Sequence, residues 1–297
     1  MIMQKVLVIV GPTASGKTSF GIECANSFNG EIISGDSIQV YKGLDIGSAK
    51  ASKQEQEKTK HYLIDIKEAN DNYSVKEFQE KGRELIKTIN NKGKLPIIVG
   101  GTGLYIKALL YDYEFFNEEE KDNPYDELSN EDIYEILKKE DPKALEKIHI
   151  NNRKRLVRAL NILNKHNEGI SSIKAKQEHK MLYDAKVIGL TLDREKLYQR
   201  IEDRVKAMVD EGLVDEIKGL LEKGISFDNQ SMQAIGYKEF KPYFEGDSNL
   251  EECVNEVIKN TKHFAKRQYT WFKNQTPITW YENKDEAIKD IKQWINI

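Results

Sequence analysis

Four residues near the start of the chain, Gly11, Gly16, Lys17 and Thr18, stand at the spacing G-x-x-x-x-G-K-[ST] within "IVGPTASGKTSF". Residue types at that spacing bind phosphate. The segment Gly11, Pro12, Thr13, Ala14, Ser15, Gly16 lets backbone N–H groups converge on anionic oxygens, and the helix that follows adds its positive end. Lys17 supplies a charge and the Thr18 hydroxyl can ligate Mg²⁺. The loop defines a class of ligand and not a reaction, because kinases, NTP hydrolases and other transferases all hold phosphates this way.

Two further loops carry polar groups suited to chemistry at a phosphate. In "IISGDSIQVY" an apolar run delivers Asp36, which fits a proton acceptor, an indirect Mg²⁺ ligand or a turn-stabilising carboxylate. In "LPIIVGGTG" the run ends in glycines and Thr102, without the strand-end acid that an NTP hydrolase uses for its metal. Asp65, inside "YLIDI", is a weaker metal candidate because Ile66 continues the run. Arg200 and Arg204 lie one helical turn apart beside the apolar stripe Leu197, Ile201, Val205 and Met208. They suit either a clamp on a departing phosphate or surface pairing, for example of Arg200 with Asp203.

Cations recur in two other places. The stretch Arg153, Lys154, Arg155, Arg158, Lys165, Lys174, Lys176 and Lys180 is opposed only by Glu168 and Glu178, and follows an acidic segment over residues 114 to 146. It reads as a basic patch or as a solvated helix face. Lys266, Arg267, Gln268, Tyr269 and Trp271 combine charge, amide and aromatic groups, a mixture that grips phosphates and stacks bases, although core packing explains the aromatics equally well.

Positioning these residues calls for a parallel α/β sheet. Apolar runs "VLVIV", "EIISGD", "YLIDI" and "LPIIVGG" alternate with helical patterns such as residues 75 to 91, and strand signals return at "KVIGLTL", residues 186 to 192. Ligands collect at the carboxyl ends of such strands, so the loops after the first, second and "LPIIVGG" strands are expected to share one pocket. Between residues 114 and 185 only loops and helices are expected, which divides the chain into a core of residues 1–113 with 186–297 and a helical insertion of residues 114–185. The last third reads as helical, with Asp193 as the N-cap of one helix and a long helix over about residues 249 to 274.

The 297 residues, 39% hydrophobic and 32% charged, describe a folded globular protein. No apolar run approaches the roughly 20 residues of a membrane span, so no membrane partner is expected. The chain enters a strand within a few residues, which leaves no signal peptide expected and points to the cytoplasm. Cys24 and Cys253 are the only cysteines and are expected in the core, while the five histidines lack metal-ligand spacing.

Taken in order, "GPTASGKT", "ISGDSIQVYKGLDIGSAK", "LPIIVGGTGLYIKALL", "IHINNRKRLVRAL", "SMQAIGYKEF" and "FAKRQYTWFK" resemble the successive signatures of the tRNA dimethylallyltransferase (tRNA isopentenyltransferase) family, of the bacterial type without a zinc-finger tail. The resemblance spans nearly the whole chain. It implies a P-loop NTPase-like core whose loop holds dimethylallyl diphosphate in place of ATP. It also implies transfer of the dimethylallyl group to N6 of the adenosine 3′ of the anticodon, in tRNAs that read codons beginning with U. By residue, it implies Asp36 as proton acceptor, Lys17, Thr102 and Arg204 as stabilisers of departing diphosphate, Arg200 in the same site, and Mg²⁺ near Thr18. The anticodon stem-loop would meet Asp36, Ser37, Ile38 and Gln39, then Lys154, Arg155, Leu156, Val157 and Arg158. Further contacts would come from Gln233, Ala234, Ile235, Gly236, Tyr237 and Lys238, and from Lys266, Arg267, Gln268, Trp271 and Lys273. A monomer is expected.

Two departures stand out: the insertion carries an acidic stretch, "DNPYDELSNED", where relatives place an arginine, and Ile150 replaces a proline. An adenylate isopentenyltransferase, a small-molecule kinase and a non-catalytic RNA-binding module are the competing readings. The long insertion and the "AKRQYTWF" helix favour RNA over a free nucleotide.

Overall fold

In the computed structural model the described residues are 3–115, 125, 127–176, 180–275 and 277–296. Most of the acidic stretch near residue 120, together with Glu178, His179 and the side chains of Lys174 and Lys176, lies outside them. The chain separates into two compact units, residues 1–110 with 182–297, and residues 111–181.

The larger unit begins β1 (Lys5–Val10), α1 (Lys17–Ser27), β2 (Gly30–Ser34), α2 (Lys53–Lys58), β3 (His61–Tyr62), α3 (Val75–Asn91), β4 (Leu95–Val99) and α4 (Gly103–Leu110). The smaller unit holds α5 (Asn130–Glu140), α6 (Pro142–Leu145), α7 (Arg153–His166) and α8 (Ile170–Lys176). The chain then returns through β5 (Asp184–Leu190), α9 (Arg194–Asp210), α10 (Leu213–Glu222), α11 (Lys241–Glu245), α12 (Leu250–Gln275), β6 (Thr279–Tyr281) and α13 (Lys284–Ile295).

The six strands form one parallel sheet in the order β3-β2-β4-β1-β5-β6. Val6 to Val10 are wholly buried, the run expected of a central parallel strand covered by helices on both faces. Leu7, Ile9, Phe20, Ile32, Ile97, Ile188 and Ile291 share one core cluster, which ties α1 and α13 to the sheet. Side chains of this kind contribute about 1.5–3 kcal/mol each when fully buried. Ser74 and Asp193 cap α3 and α9 by accepting backbone N–H bonds, which fixes where each helix starts.

Two expectations need correction. Only His61 and Tyr62 of the "YLIDI" region pair as a strand, because Leu63 (φ 60°) and Asp65 (φ 54°) leave the extended conformation. Asp65 instead pairs with Lys50, which also holds Asp45, and this pairing explains the carboxylate without a metal. The last third is not wholly helical, since β6 adds an edge strand beside β5. Three residues are too few to show a period in sequence.

In the smaller unit, Ile133, Leu137, Leu156, Ala159, Leu160 and Ile162 pack one core. A reciprocal capping box between Ser129 and Asp132 starts α5, and the Arg153 guanidinium donates to the carbonyls of Tyr125 and Leu128, both at 2.8 Å.

Candidate active site

The phosphate loop joins β1 to α1, and Gly16 (φ 87°) caps α1 with no side chain occupying its first N–H groups. With no acidic residue in the first turn either, that helix end is free to meet an anion. The Lys17 ammonium donates to the Pro12 carbonyl at 2.7 Å, folded back along the loop. Its proton affinity is lowered to a pKa of about 7, chiefly by burial and next by repulsion from Arg204, with Asp36 opposing both.

The loops after β2 and β4 approach backbone to backbone. The Gly35 N–H donates to the Val99 carbonyl at 2.8 Å, and a Cβ on Gly100 would lie 2.4 Å from the Gly35 carbonyl oxygen, so this contact requires glycine at 100. Asp36 follows directly. One of its oxygens accepts N–H bonds from Ile38 (2.8 Å) and Gln39 (3.3 Å), which builds a turn and orients the carboxylate. The Gln39 amide is held internally, accepting from the Ser34 hydroxyl at 2.9 Å and donating towards the carbonyls of Ser48 and Ala49.

These loops enclose a chamber of about 90 Å³ whose wall includes Thr13, Lys17, Thr18, Asp36, Gln39, Gly100, Gly101 and Arg204. Ile32, Ala49, Ala51, Val99 and Phe264 give it an apolar side. Lys17, Thr18, Ala49 and Arg204 also line a wider cavity of about 600 Å³ with Ala14, Gly16, Lys50 and Arg200. Arg204 is half-buried and Arg200 exposed. Burial lowers the Arg204 pKa against the opposing pull of Asp36 and Glu211. Thr102 is on neither wall and directly precedes α4, its carbonyl accepting from the N–H groups of Tyr105 and Ile106. Asp203 accepts from Gln199 (2.9 Å).

The arrangement combines convergent cations and helix N–H groups for an anion, one carboxylate, and an apolar side to the chamber. Thr18 is the hydroxyl available to a metal ion. Among the described residues no group of three or more acidic, His or Cys side chains could hold one. That donor set fits an Mg²⁺ carried mostly by diphosphate oxygens.

Several side chains matched to RNA contact are packed inside the protein. Leu156 and Tyr237 are 0% exposed, and Gly236 is buried, its N–H donating to Glu239 at 2.9 Å. The Tyr237 hydroxyl donates to Glu216 at 2.7 Å, and Gln233 donates to the Phe227 carbonyl. Gln268 is also buried. Leu156, Gly236, Tyr237 and Gln268 thus sit among internal partners and core neighbours. Val157 packs partly on the core of the smaller unit, and Ala234 and Ile235 are half-buried. Lys154, Arg155, Arg158, Lys238, Lys266, Arg267 and Lys273 are exposed, while Ser37, Ile38 and Trp271 are partly so. Lys266 lines an open trough between α9 and α12 with Arg194, Lys206, Lys259, Lys262 and His263.

His61 is a chamber residue that sequence motifs did not mark. Its Nδ1 lies 2.7 Å from the Thr59 carbonyl and burial lowers its pKa, which favours the neutral ring donating from Nδ1. Ala51 was missed for the same reason, and Ser48 and Ala49, though inside the motif "ISGDSIQVYKGLDIGSAK", were not singled out: loop residues without periodicity reach the wall only through tertiary folding. Cys24 and Cys253 are buried free thiols, and burial pushes the Cys24 pKa up to about 12.

A phosphate loop on a central parallel strand, with a carboxylate and an arginine lining the same chamber, defines a P-loop-like α/β fold. The profile of the IPP transferase family matches residues 39–275. The tRNA dimethylallyltransferase of Anoxybacillus flavithermus is 48% identical over 288 residues, covering 96% of this chain and 92% of that one. The enzyme of that name from Bacillus cereus is 47% identical over 300 residues, covering 98% and 94%. A crystal structure of a tRNA isopentenylpyrophosphate transferase from Staphylococcus epidermidis superposes with a TM-score of 0.74 at 43% identity, covering 98% of both chains. A eukaryotic dimethylallyltransferase acting on tRNA gives a TM-score of 0.86 at 30% identity, over 99% of this chain and 80% of that one. This chain belongs to the IPP transferase family, whose curated relatives are tRNA dimethylallyltransferases.

Proposed function

We propose that this protein transfers the dimethylallyl group of dimethylallyl diphosphate to N6 of the adenosine immediately 3′ of the anticodon in tRNAs that read codons beginning with U, yielding N6-isopentenyladenosine and diphosphate. The observation that carries this reading is the chamber itself. It sets the Asp36 carboxylate, the Lys17 and Arg204 cations and a small apolar recess on one wall. A phosphoryl-transfer site has no use for such a recess, whereas a five-carbon allylic group does.

In the reaction the N6 lone pair attacks the allylic C1 as the C1–O bond breaks, its electron pair leaving on the diphosphate. The N6 proton passes to Asp36. Lys17, Arg204, Arg200 and the N-terminal N–H groups of α1 stabilise the charge that develops on the leaving oxygens. Thr102, at the start of α4, is assigned to the same task. Thr18 would hold Mg²⁺ together with the diphosphate, and the ion would add to this charge stabilisation. The adenosine must leave its stack to be reached, a cost of a few kcal/mol offset by contacts to the flipped nucleotide.

Ser37 and Ile38 border the base, and Lys154, Arg155 and Arg158 grip phosphates from the smaller unit. Lys238, Lys266, Arg267 and Lys273 do so from the larger, with the Trp271 ring available to stack on a base. Among the described residues no helix is long and apolar enough to cross a membrane. We assign a monomer acting in the cytoplasm, where tRNA is found. Incubation with dimethylallyl diphosphate and either unmodified tRNA or AMP tests the reading. Base-resolved N6-isopentenyladenosine in tRNA is expected. Prenylated AMP with inert tRNA would overturn it, as would phosphoryl transfer from ATP without prenylation.

A further inference from the structure

The buried face of α12 carries Gln268 between the phosphate loop and the loop after β4. Its side chain is 6% exposed and makes two hydrogen bonds, both to backbone. Oε1 accepts from the Thr13 N–H at 2.8 Å, and Nε2 donates to the Gly101 carbonyl at 3.1 Å. Thr13 lies inside the phosphate loop, and Gly101 immediately precedes Thr102. A neutral amide is suited to this place because it satisfies one donor and one acceptor at once without burying a charge. The surrounding chain leaves room for it: a Cβ on Gly101 would lie 2.1 Å from Nε2, so glycine is required at 101 to admit the amide. Ala265 and Phe272, buried on the same helix face, keep Gln268 facing inward.

We propose that Gln268 is a positioning residue that clasps the phosphate loop to the Thr102 loop and so sets the spacing between the diphosphate cradle and the groups opposite it. The proposal rests on the function assigned above to those two loops. It replaces an RNA contact at this position with an internal one, although the neighbours Lys266 and Arg267 point outward. One consequence is that the Thr13 N–H is already engaged, as is that of Ser15, which donates to the Pro12 carbonyl at 3.3 Å, so the cradle is left to the other N–H groups that follow. A second is that the helix bearing outward-facing cations also holds the diphosphate loop in register.

Two substitutions test it. Gln268→Met keeps the length of the side chain and removes both hydrogen bonds. Gln268→Glu keeps an acceptor for Thr13 and loses the donor to Gly101. With both substrates saturating, Gln268→Met is expected to lower kcat at least tenfold and to weaken dimethylallyl diphosphate binding severalfold, while tRNA affinity stays within twofold. Amide hydrogen exchange in residues 11–16, read without any ligand, is expected to accelerate in Gln268→Met and to stay near wild type in Gln268→Glu. The glutamate variant is nevertheless expected to lose turnover. A tenfold loss of tRNA affinity with kcat intact would overturn the proposal, as would unchanged kcat together with unchanged exchange. The exchange measurement stands even if wild-type protein transfers no prenyl group, which separates failure of the clasp from failure of the proposed function. Should Gln268→Met not fold, Gln268→Glu carries the test through kcat: a lowered kcat with tRNA affinity within twofold is expected, and an unchanged kcat would overturn the proposal.

Discussion

Arg204 and Lys17 line the same two cavities, and repulsion between the two cations adds to burial in bringing the Lys17 pKa down to about 7. Near neutral pH the Lys17 amine of the free protein therefore gives up its proton far more readily than an exposed lysine does. Bound diphosphate, with its negative oxygens beside the amine, favours the ammonium and raises that pKa again.

The sign of the pH dependence follows. Binding takes up a proton wherever the free amine is neutral and the bound one charged, so affinity for dimethylallyl diphosphate falls as pH rises above about 7. Between pH 7.5 and 9, where the ligand's own ionisation is complete, the loss should approach tenfold per pH unit in wild type and vanish in Lys17→Met. Calorimetry in buffers of different ionisation enthalpy measures the uptake directly, and a flat profile in wild type would refute the assignment.

Asp36 carries two duties that substitution can separate. The Asp36→Asn variant retains an oxygen to accept from the Ile38 and Gln39 N–H groups but no longer takes a proton, whereas Asp36→Ala loses both capacities. Single-turnover transfer should fall by about 10²–10⁴ in both variants. Only Asp36→Ala should also lose stability, by about 1 kcal/mol in a denaturant titration. A normal transfer rate in Asp36→Asn would remove the proton-acceptor role.

What was legible in sequence was whatever had a period or a motif. Val6–Val10 declared a buried strand by unbroken apolarity, the glycine spacing declared its loop, and the ordered motifs declared the family. Leu63 and Asp65 defeated the strand reading because the left-handed backbone that ends β3 leaves no mark in residue type. Residues whose partners lie far along the chain were equally silent. Gln268 meets Thr13 and Gly101, and Tyr237 meets Glu216, contacts that sequence proximity does not suggest. Hence residues within the "SMQAIGYKEF" and "FAKRQYTWFK" motifs divide by helix face and burial into outward cations and inward scaffold, a division the motif alone does not draw.

The two arginines of α9 should separate in kinetics. Arg204 lines both cavities and is half-buried, so its charge is screened less than that of an exposed arginine. Arg200 is exposed and lines only the outer cavity. Arg204→Ala should lower kcat by about 10²–10³ with little change in tRNA affinity, at the magnitude of losing one preorganised donor. Arg200→Ala should mainly raise the donor KM, by a few fold. The reverse ranking would reassign Arg204 to RNA docking.

On α7, Leu156 faces the core of the smaller unit while Lys154, Arg155 and Arg158 are exposed. Replacing the three cations by alanine should weaken tRNA binding and flatten its dependence on salt, by up to about 0.9 log units per contacted phosphate lost. Affinity for dimethylallyl diphosphate should not change. An unaltered salt slope would return the tract to a solvated surface.

Tyr237 and Glu216 provide the last test, because they oppose a structural role to an RNA contact at one residue. The Glu216 carboxylate accepts N–H bonds from Asp45 (2.9 Å), Ile46 (2.8 Å) and Gly47 (3.2 Å) as well as the Tyr237 hydroxyl. It thereby fixes the segment that leads to Ser48 and Ala49 on the chamber wall. A Cβ on Gly47 would lie 2.5 Å from the Tyr237 ring, so ring and loop are in direct contact. Tyr237→Phe keeps that contact and drops one hydrogen bond, which should cost about 1 kcal/mol. Glu216→Ala strands three loop N–H groups and should cost about 2–3 kcal/mol, while raising the KM for dimethylallyl diphosphate as the wall loosens. Denaturant titration and steady-state kinetics measure both effects. If Tyr237→Phe weakens tRNA binding while stability stays unchanged, Tyr237 touches RNA and its buried hydroxyl is not a scaffold.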